Sequence, residues 1–353
     1  MIDNTKKDFS IELLRLLASF MVIVIHVSAY RTYALDPQTA YWQIMNFWNS
    51  IASSAVPIFI MISGAFMLNP QIELGGKKLY KKILKLVIVY IVWSVIYAFY
   101  ITWWEYGIRI DTAILKSVIK LTIYSRYHLW YLPMLIGIYI FTPLLRAMIR
   151  GGGGIQYAVL IFFINVILKT ILEFKIIPHF ELINTLIEKL PLEILSQGIG
   201  YYILGYWLYT YGLDLQKRRL LYILAGISVL LTSIISGYVA LKDGTLEGLL
   251  HQNMSLTTFF EAMAIFVFFK GHYLKKEISL HAGMKIQFLS NLTLGIYLFH
   301  DVVLSFFRET QILDTTDFNP ILSIPCISSL LFVISALVII LLKRIPVISK
   351  WIV

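Results

Sequence analysis

Residues 11–29 read I-E-L-L-R-L-L-A-S-F-M-V-I-V-I-H-V-S-A. The stretch is long enough to cross a bilayer, whose hydrocarbon core takes about 20 apolar residues in a helix. Yet it carries Glu12, Arg15 and His26. A charge at the centre of a span costs about 3 kcal/mol or more unless it faces the inside of a bundle. The segment therefore demands other helices around it, and the rest of the chain supplies them.

Seven further stretches, 51–68, 86–104, 129–145, 151–168, 194–212, 220–241 and 318–342, contain no Asp, Glu, Lys, Arg or His. Two more are long enough but hold ionisable residues: 254–269 with Glu261, and 288–307 with His300 and Asp301. The reading is an all-α polytopic membrane protein of about ten transmembrane helices. Composition agrees, with 59% apolar and 14% charged residues among 353 and a mean hydropathy of +0.77. Those values exclude a soluble globular enzyme and a disordered chain. The single cysteine, Cys326, excludes a disulfide scaffold. The first span lies near Met1 but lacks a small-residue cleavage site after Ala29, so it reads as a retained helix and not a signal peptide.

Loop charges select the orientation. With the N-terminus inside, Lys6, Lys7, the lysines at 77, 78, 81, 82 and 85, Arg146, Arg150, Lys217, Arg218, Arg219, Lys270, Lys275, Lys276, Lys285, Lys343, Arg344 and Lys350 all fall on the inner side. The positive-inside rule then expects both termini in the cytoplasm. The net charge of +10 follows from topology and headgroup attraction, with no nucleic acid as partner. The tract Gly151–Gly154 reads as a permissive turn between helices, since a phosphate-cradling loop would want a strand before it and a lysine after. The longest outer segments, 105–127 and 173–193, are too short for a domain. One integral membrane domain over 1–353 is expected, with no appended soluble domain.

Polar residues inside the spans carry the functional information. Arg15 and His26 are eleven residues apart, close to three helical turns, so they share a face about 16 Å apart. Glu12 stands one turn before Arg15. One stripe thus holds an ion pair near the inner end and an imidazole deeper toward the outer half.

These residues resemble a family. Arg15, ten intervening residues and His26, in a first helix opening E-L-L-R, is similar to the R-x10-H signature of the acyltransferase type 3 membrane enzymes. The resemblance continues along nearly the whole chain. A-V-P-I-F-I-M-I-S-G-A-F-M-L at 55–68, with Ser63 and Gly64, resembles the family's second-helix segment. K-K-I-L-K at 81–85 stands where many members have R-x-x-R. H-L-W-Y-L at 128–132 and L-G-I-Y-L-F-H at 294–300 resemble its H-L-W-F-L segment and its late helix ending in histidine. Without an extracytoplasmic hydrolase-like domain, the chain resembles the stand-alone members, such as the O-acetyltransferase of enterobacterial common antigen.

The resemblance implies transfer of an acyl group, most often acetyl, from cytoplasmic acyl-coenzyme A to a hydroxyl of a cell-envelope glycan or lipid-linked sugar, in the bacterial cytoplasmic membrane. Carried over residue by residue, His26 would be general base or transient acyl acceptor, and Arg15 would grip the thioester end or a phosphate. Lys82, Lys85 and Ser63 would line the donor's path. An imidazole suits base catalysis because its ordinary pKa is about 6.5. The developing oxyanion also needs a donor, and Arg15, about 16 Å from His26, cannot supply it, so another helix must. In place of arginines, Lys82 and Lys85 would meet phosphate as point charges without bidentate geometry.

Among the remaining polar residues, Glu261 is expected to orient His26 or relay a proton. His128, Trp130, His300, Asp301 and Glu12 are expected around the acceptor or behind the catalytic groups. His300 and Asp301, being neighbours, point about 100° apart and should not both face one ligand squarely. The histidines and the cysteine show no metal-ligand spacing, so no metal is expected, nor any permanently bound cofactor beyond the acyl-coenzyme A substrate. A transporter or flippase of a lipid-linked glycan is the alternative reading of buried charges in a helical bundle. The two similar halves with interrupted helices that transporters often show are not visible.

Overall fold

The computed structural model describes residues 9–107, 112–151, 154–173, 185, 197–243, 251, 255–273 and 279–351. Lys6, Lys7, Lys275, Lys276, the middle of the glycine tract and most of the second outer segment lie outside the described residues.

The described residues form helices and no strand. In chain order these are α1 (Phe9–Ala29), α2 (Ala40–Ala52), α3 (Ala55–Met67), α4 (Gly76–Tyr106), α5 (Thr112–Tyr124), α6 (Tyr131–Arg150), α7 (Gly154–Glu173), α8 (Gln197–Tyr211), α9 (Leu215–Asp243), α10 (Leu256–Tyr273), α11 (Leu280–Ser290), α12 (Thr293–Thr310), α13 (Pro320–Leu342) and α14 (Pro346–Trp351). A 3-10 turn, Tyr127–Trp130, leads into α6. Seven of these segments are long and apolar enough to cross a membrane, and eight if the bent pair α11 and α12 is one span. The protein is therefore an all-helical, multi-pass membrane protein.

Several details depart from the expectation of ten uniform spans. The run 51–68 is the second half of a longer unit, Ala40–Met67, in which α2 and α3 are separated at Ser53 and Ser54. The run 288–307 bends by 50° between α11 and α12. Part of the first outer segment forms α5. The described parts of the runs 194–212 and 254–269 are α8 and α10. Tyr201, Tyr202, Ile203 and Leu204 of α8, and Phe259, Ala262 and Phe266 of α10, are buried against protein. A helix screened from lipid by its neighbours can carry tyrosine, glycine and Glu261 at less cost.

The outer helices show the opposite pattern. Ile91 and Phe99 of α4, Ile140 and Leu144 of α6, Ile223 and Ile234 of α9, and Leu337 of α13 are exposed. An apolar surface this extensive belongs in hydrocarbon. At the centre stands α1, packed against α2, α3, α10, α11, α12 and α13. The helix with the most informative polar residues is thus enclosed by other helices on several sides.

Close crossing of α3 and α8 fixes the wall beside α1. A Cβ on Gly64 would collide with the Tyr202 backbone, and one on Gly205 with the Met61 backbone. Small residues let helix backbones approach in this way. Gly64 is therefore required for packing, and it sets the position of its neighbour Ser63.

Candidate active site

Three helices bring three imidazoles together. His26 comes from the C-terminal half of α1, His128 from the 3-10 turn before α6, and His300 from the middle of α12. His26 and His300 are stacked, with centroids 5.2 Å apart and planes at 23°. His128 meets both edge-on, at 6.1 Å from His26 and 5.2 Å from His300. Tyr127 lies 5.2 Å from His26, and Tyr97 and Tyr297 lie 5.1 and 5.6 Å from His128.

Hydrogen bonding fixes one tautomer. His300 Nδ1 is 2.6 Å from the Tyr297 carbonyl oxygen. A carbonyl only accepts, so Nδ1 donates, and in the neutral ring Nε2 carries the lone pair. That Nε2 is buried and has no protein partner. The stacked pair thus contains an oriented basic nitrogen. His128 and His300 are sealed, at 2% and 0% exposure, whereas His26 keeps part of its surface. Of the three rings, His26 is the one a substrate can touch.

Asp301 holds the group from behind. Its carboxylate accepts from Arg126 Nε at 2.6 Å and Tyr127 Oη at 2.7 Å, and His128 Nδ1 lies 3.8 Å away. Arg126 also donates to Ser305 Oγ at 2.9 Å and covers the Tyr127 ring at 5.1 Å. The adjacent residues His300 and Asp301 do point differently, yet both serve one cluster. His300 meets His26, while Asp301 fixes Arg126, Tyr127 and the side of His128.

A file of polar groups leads toward the other end of α1. Tyr297 donates its hydroxyl to the His128 carbonyl, and its ring lies 5.8 Å from Tyr131. The Tyr131 and Tyr139 hydroxyls both meet Ser63 and lie within electrostatic reach of Arg15. Arg15 itself donates to Glu12 at 2.6 Å and to Ser290 Oγ at 3.4 Å, and Ser290 donates to the Glu12 carboxylate. This clasp secures α1 to the bend before α12, where Lys343 caps the Asn291 carbonyl at 2.6 Å. Arg15 and His26 are therefore joined by a file of polar and aromatic side chains.

A family model described as an acyltransferase domain matches residues 8–341, nearly the whole chain. The chain belongs to the acyltransferase type 3 family. No curated protein and no solved structure matches it. Membership makes it a membrane acyltransferase and weighs against the transporter or flippase reading.

Within this acyltransferase, the expected site residues divide. Arg15, Glu12, Ser63, His26, His128, His300 and Asp301 lie along this file and its terminal cluster. Glu261 does not join them. Its Oε2 accepts from Ser53 Oγ at 2.9 Å at the break between α2 and α3, and Tyr201 is the phenol within its electrostatic reach. The expectation that Glu261 orients His26 is thus replaced: Tyr127, His128 and His300 are the rings around His26. Trp130 sits on the outside of its turn, 43% exposed, away from the cluster. Lys82 lines a cavity with Lys78 and Lys81 at the basic end, and Lys85 lies near Lys82 and Lys343.

Sequence reading missed Arg126, Tyr97, Tyr127 and Tyr297. Arg126 stands two residues before His128, and that proximity was the available signal. Among the described residues, no group of three or more His, Cys, Asp or Glu side chains has the geometry to hold a metal ion.

Proposed function

We propose that this acyltransferase moves an acetyl group from acetyl-coenzyme A, entering at the basic end from the cytoplasm, to a hydroxyl of a cell-envelope glycan or lipid-linked sugar in the bacterial cytoplasmic membrane. The observation that carries the reading is the accessible His26 ring, leaning on a His300 whose tautomer is set by the Tyr297 carbonyl. An imidazole in that setting can take a proton from an acceptor hydroxyl as its oxygen attacks the thioester carbonyl. The new oxygen–acyl bond forms, the carbon–sulfur bond breaks, and the leaving thiolate takes up the proton from the imidazolium.

Ser63 and Tyr131 supply hydroxyl donors between Arg15 and the histidines, the part of the path where the thioester carbonyl would lie. They answer the need for an oxyanion donor that Arg15 cannot meet. Lys82 and Lys85 would hold the coenzyme phosphates as point charges.

Transfer of labelled acetyl from acetyl-coenzyme A to membrane glycan tests the reading. His26→Gln keeps a hydrogen-bonding side chain but cannot accept and pass on a proton at neutral pH. Transfer should fall about 10²–10⁴-fold, with coenzyme binding within about twofold of wild type, because a base acts in the transition state. Near-wild-type transfer by His26→Gln would make the imidazole structural and end this assignment.

A further inference from the structure

The last turn of α6 holds a charge that the file of polar groups above does not use. Arg146 is buried, at 7% exposure. One Nη donates to the Met67 carbonyl at 2.8 Å and the other to the Ile72 carbonyl at 2.7 Å. Both acceptors are neutral, so the guanidinium keeps its full charge. The charged side chain that acts on it is Arg150, one turn on and of the same sign. Buried cations are ordinarily paired with an anion, and here a second cation stands in that place.

A guanidinium has five N–H groups, and the two carbonyls account for two of them. Arg146 also lines a cavity of about 220 Å³ together with Leu74, Thr142 and Arg150. A second cavity of about 440 Å³ shares Leu74 and is lined by Lys78, Lys81 and Lys82 and by Glu73, which pairs with Lys78 at 3.6 Å and leaves Lys81 and Lys82 as an excess of positive charge. Arg150, exposed one turn on, adds a second positive charge at the rim of the same cavity, so the two guanidinia together favour an anion there. The planar fork of arginine matches phosphate oxygens two at a time, which the lysines next door cannot do.

We propose that Arg146 and Arg150 form a binding site for a phosphate or pyrophosphate group, with the neighbouring lysine-walled cavity taking the rest of the same ligand. Two sources present that chemistry at this end of the bundle: the phosphates of a nucleotide acyl donor, and the headgroup of an anionic lipid. The first source rests on the function proposed above. The site itself does not.

The test uses the full chain in nanodiscs of phosphatidylcholine alone, titrated with inorganic pyrophosphate by calorimetry. In parallel, native mass spectrometry counts phosphatidylglycerol retained by the detergent-purified protein. Arg146→Lys keeps the charge and a donor but loses the fork, and should weaken pyrophosphate binding at least tenfold. Arg150→Gln changes an exposed side chain and should weaken it about threefold or more. Loss of phosphatidylglycerol adducts in these variants, without pyrophosphate binding to the wild type, supports the site with lipid as its ligand. Unchanged binding of both probes in both variants overturns it, and should Arg146→Lys fail to fold, Arg150→Gln decides alone. His26→Gln must retain wild-type pyrophosphate binding, so that failure of the acyl-transfer reading and failure of this site remain distinguishable.

Discussion

His26 and His300 lie face to face, 5.2 Å between ring centroids, and His300 is anchored through Nδ1 to the Tyr297 carbonyl one turn back on the same helix. The His26 ring therefore rests on one that cannot rotate without breaking a buried hydrogen bond. Such support behind a reacting group is what holds it in productive geometry.

His300 variants separate the two nitrogens. His300→Asn can keep the bond to Tyr297 but places nothing at Nε2, whereas His300→Gln fills the Nε2 position with a non-basic amide. Both should lower single-turnover acyl transfer at least tenfold while acyl-coenzyme A binding stays within about twofold. Full activity in His300→Asn would show that Nε2 has no part in the reaction.

Asp301 and Arg126 should be worth more together than either alone. Asp301→Asn leaves Arg126 buried beside a weaker acceptor, and breaking a buried pair commonly costs about 3–5 kcal/mol. Tyr127→Phe removes one hydrogen bond to the same carboxylate and should cost about 1.5–3 kcal/mol. Thermal unfolding in detergent should show Arg126→Gln combined with Asp301→Asn losing less than the sum of the single changes. Strict additivity would refute the coupling.

Gly64→Ala and Gly205→Ala should each destabilise the protein by about 1–3 kcal/mol or more, since the added methyl meets backbone rather than a side chain that can move. Gly137→Ala is the control, because a Cβ there meets nothing within 4 Å. Equal unfolding temperatures for all three would contradict the close crossing of α3 and α8.

The loop end of α1 provides a pH dependence. Burial pushes the Asp314 carboxyl up, but the Arg31 guanidinium, at 2.5 Å, and Thr316 hold it below its ordinary value. A carboxyl depressed in the folded state contributes stability that is fully present above its unfolded pKa of about 3.9 and lost as pH falls through the folded value. Arg31 is partly exposed, so the contribution should be about 0.2–1 kcal/mol. Asp314→Asn should flatten that part of the stability profile below about pH 4, and an unchanged profile would show the pair to be silent.

Orientation is open to a direct check. A reporter fused after Val353 that works only in the cytoplasm should be active if the basic end faces inward. Activity of a periplasm-dependent reporter at the same junction would reverse the bundle and place the donor on the wrong side.

Polar residues inside apolar runs made most of the site legible. Arg15, His26, His300 and Asp301 stand out because hydrocarbon gives them no other reason to be there. Tyr97, Tyr127 and Tyr297 did not, because tyrosines near span ends are expected at membrane interfaces whatever their role. Glu261 illustrates a second limit. Spacing shows which residues share a face of one helix, but not how α10 is rotated relative to α1, and that rotation turns Glu261 toward Ser53. The bend between α11 and α12 depends likewise on remote partners, Glu12, Arg15 and Lys343, which no local pattern announces.

The central place of α1 also bears on biogenesis. It leaves the ribosome ahead of all its neighbours, and four of the six it packs against, α10 to α13, come more than 200 residues later. At about 5–20 residues per second, the newborn helix waits on the order of ten seconds or more before those neighbours arrive. Through that interval Glu12 and Arg15, one turn apart, can neutralise each other without help from any other segment. The ion pair that fastens α1 to the bend beside Ser290 is thus available to the helix before its partners exist, and removing one member, as in Glu12→Gln, should lower membrane yield as well as turnover.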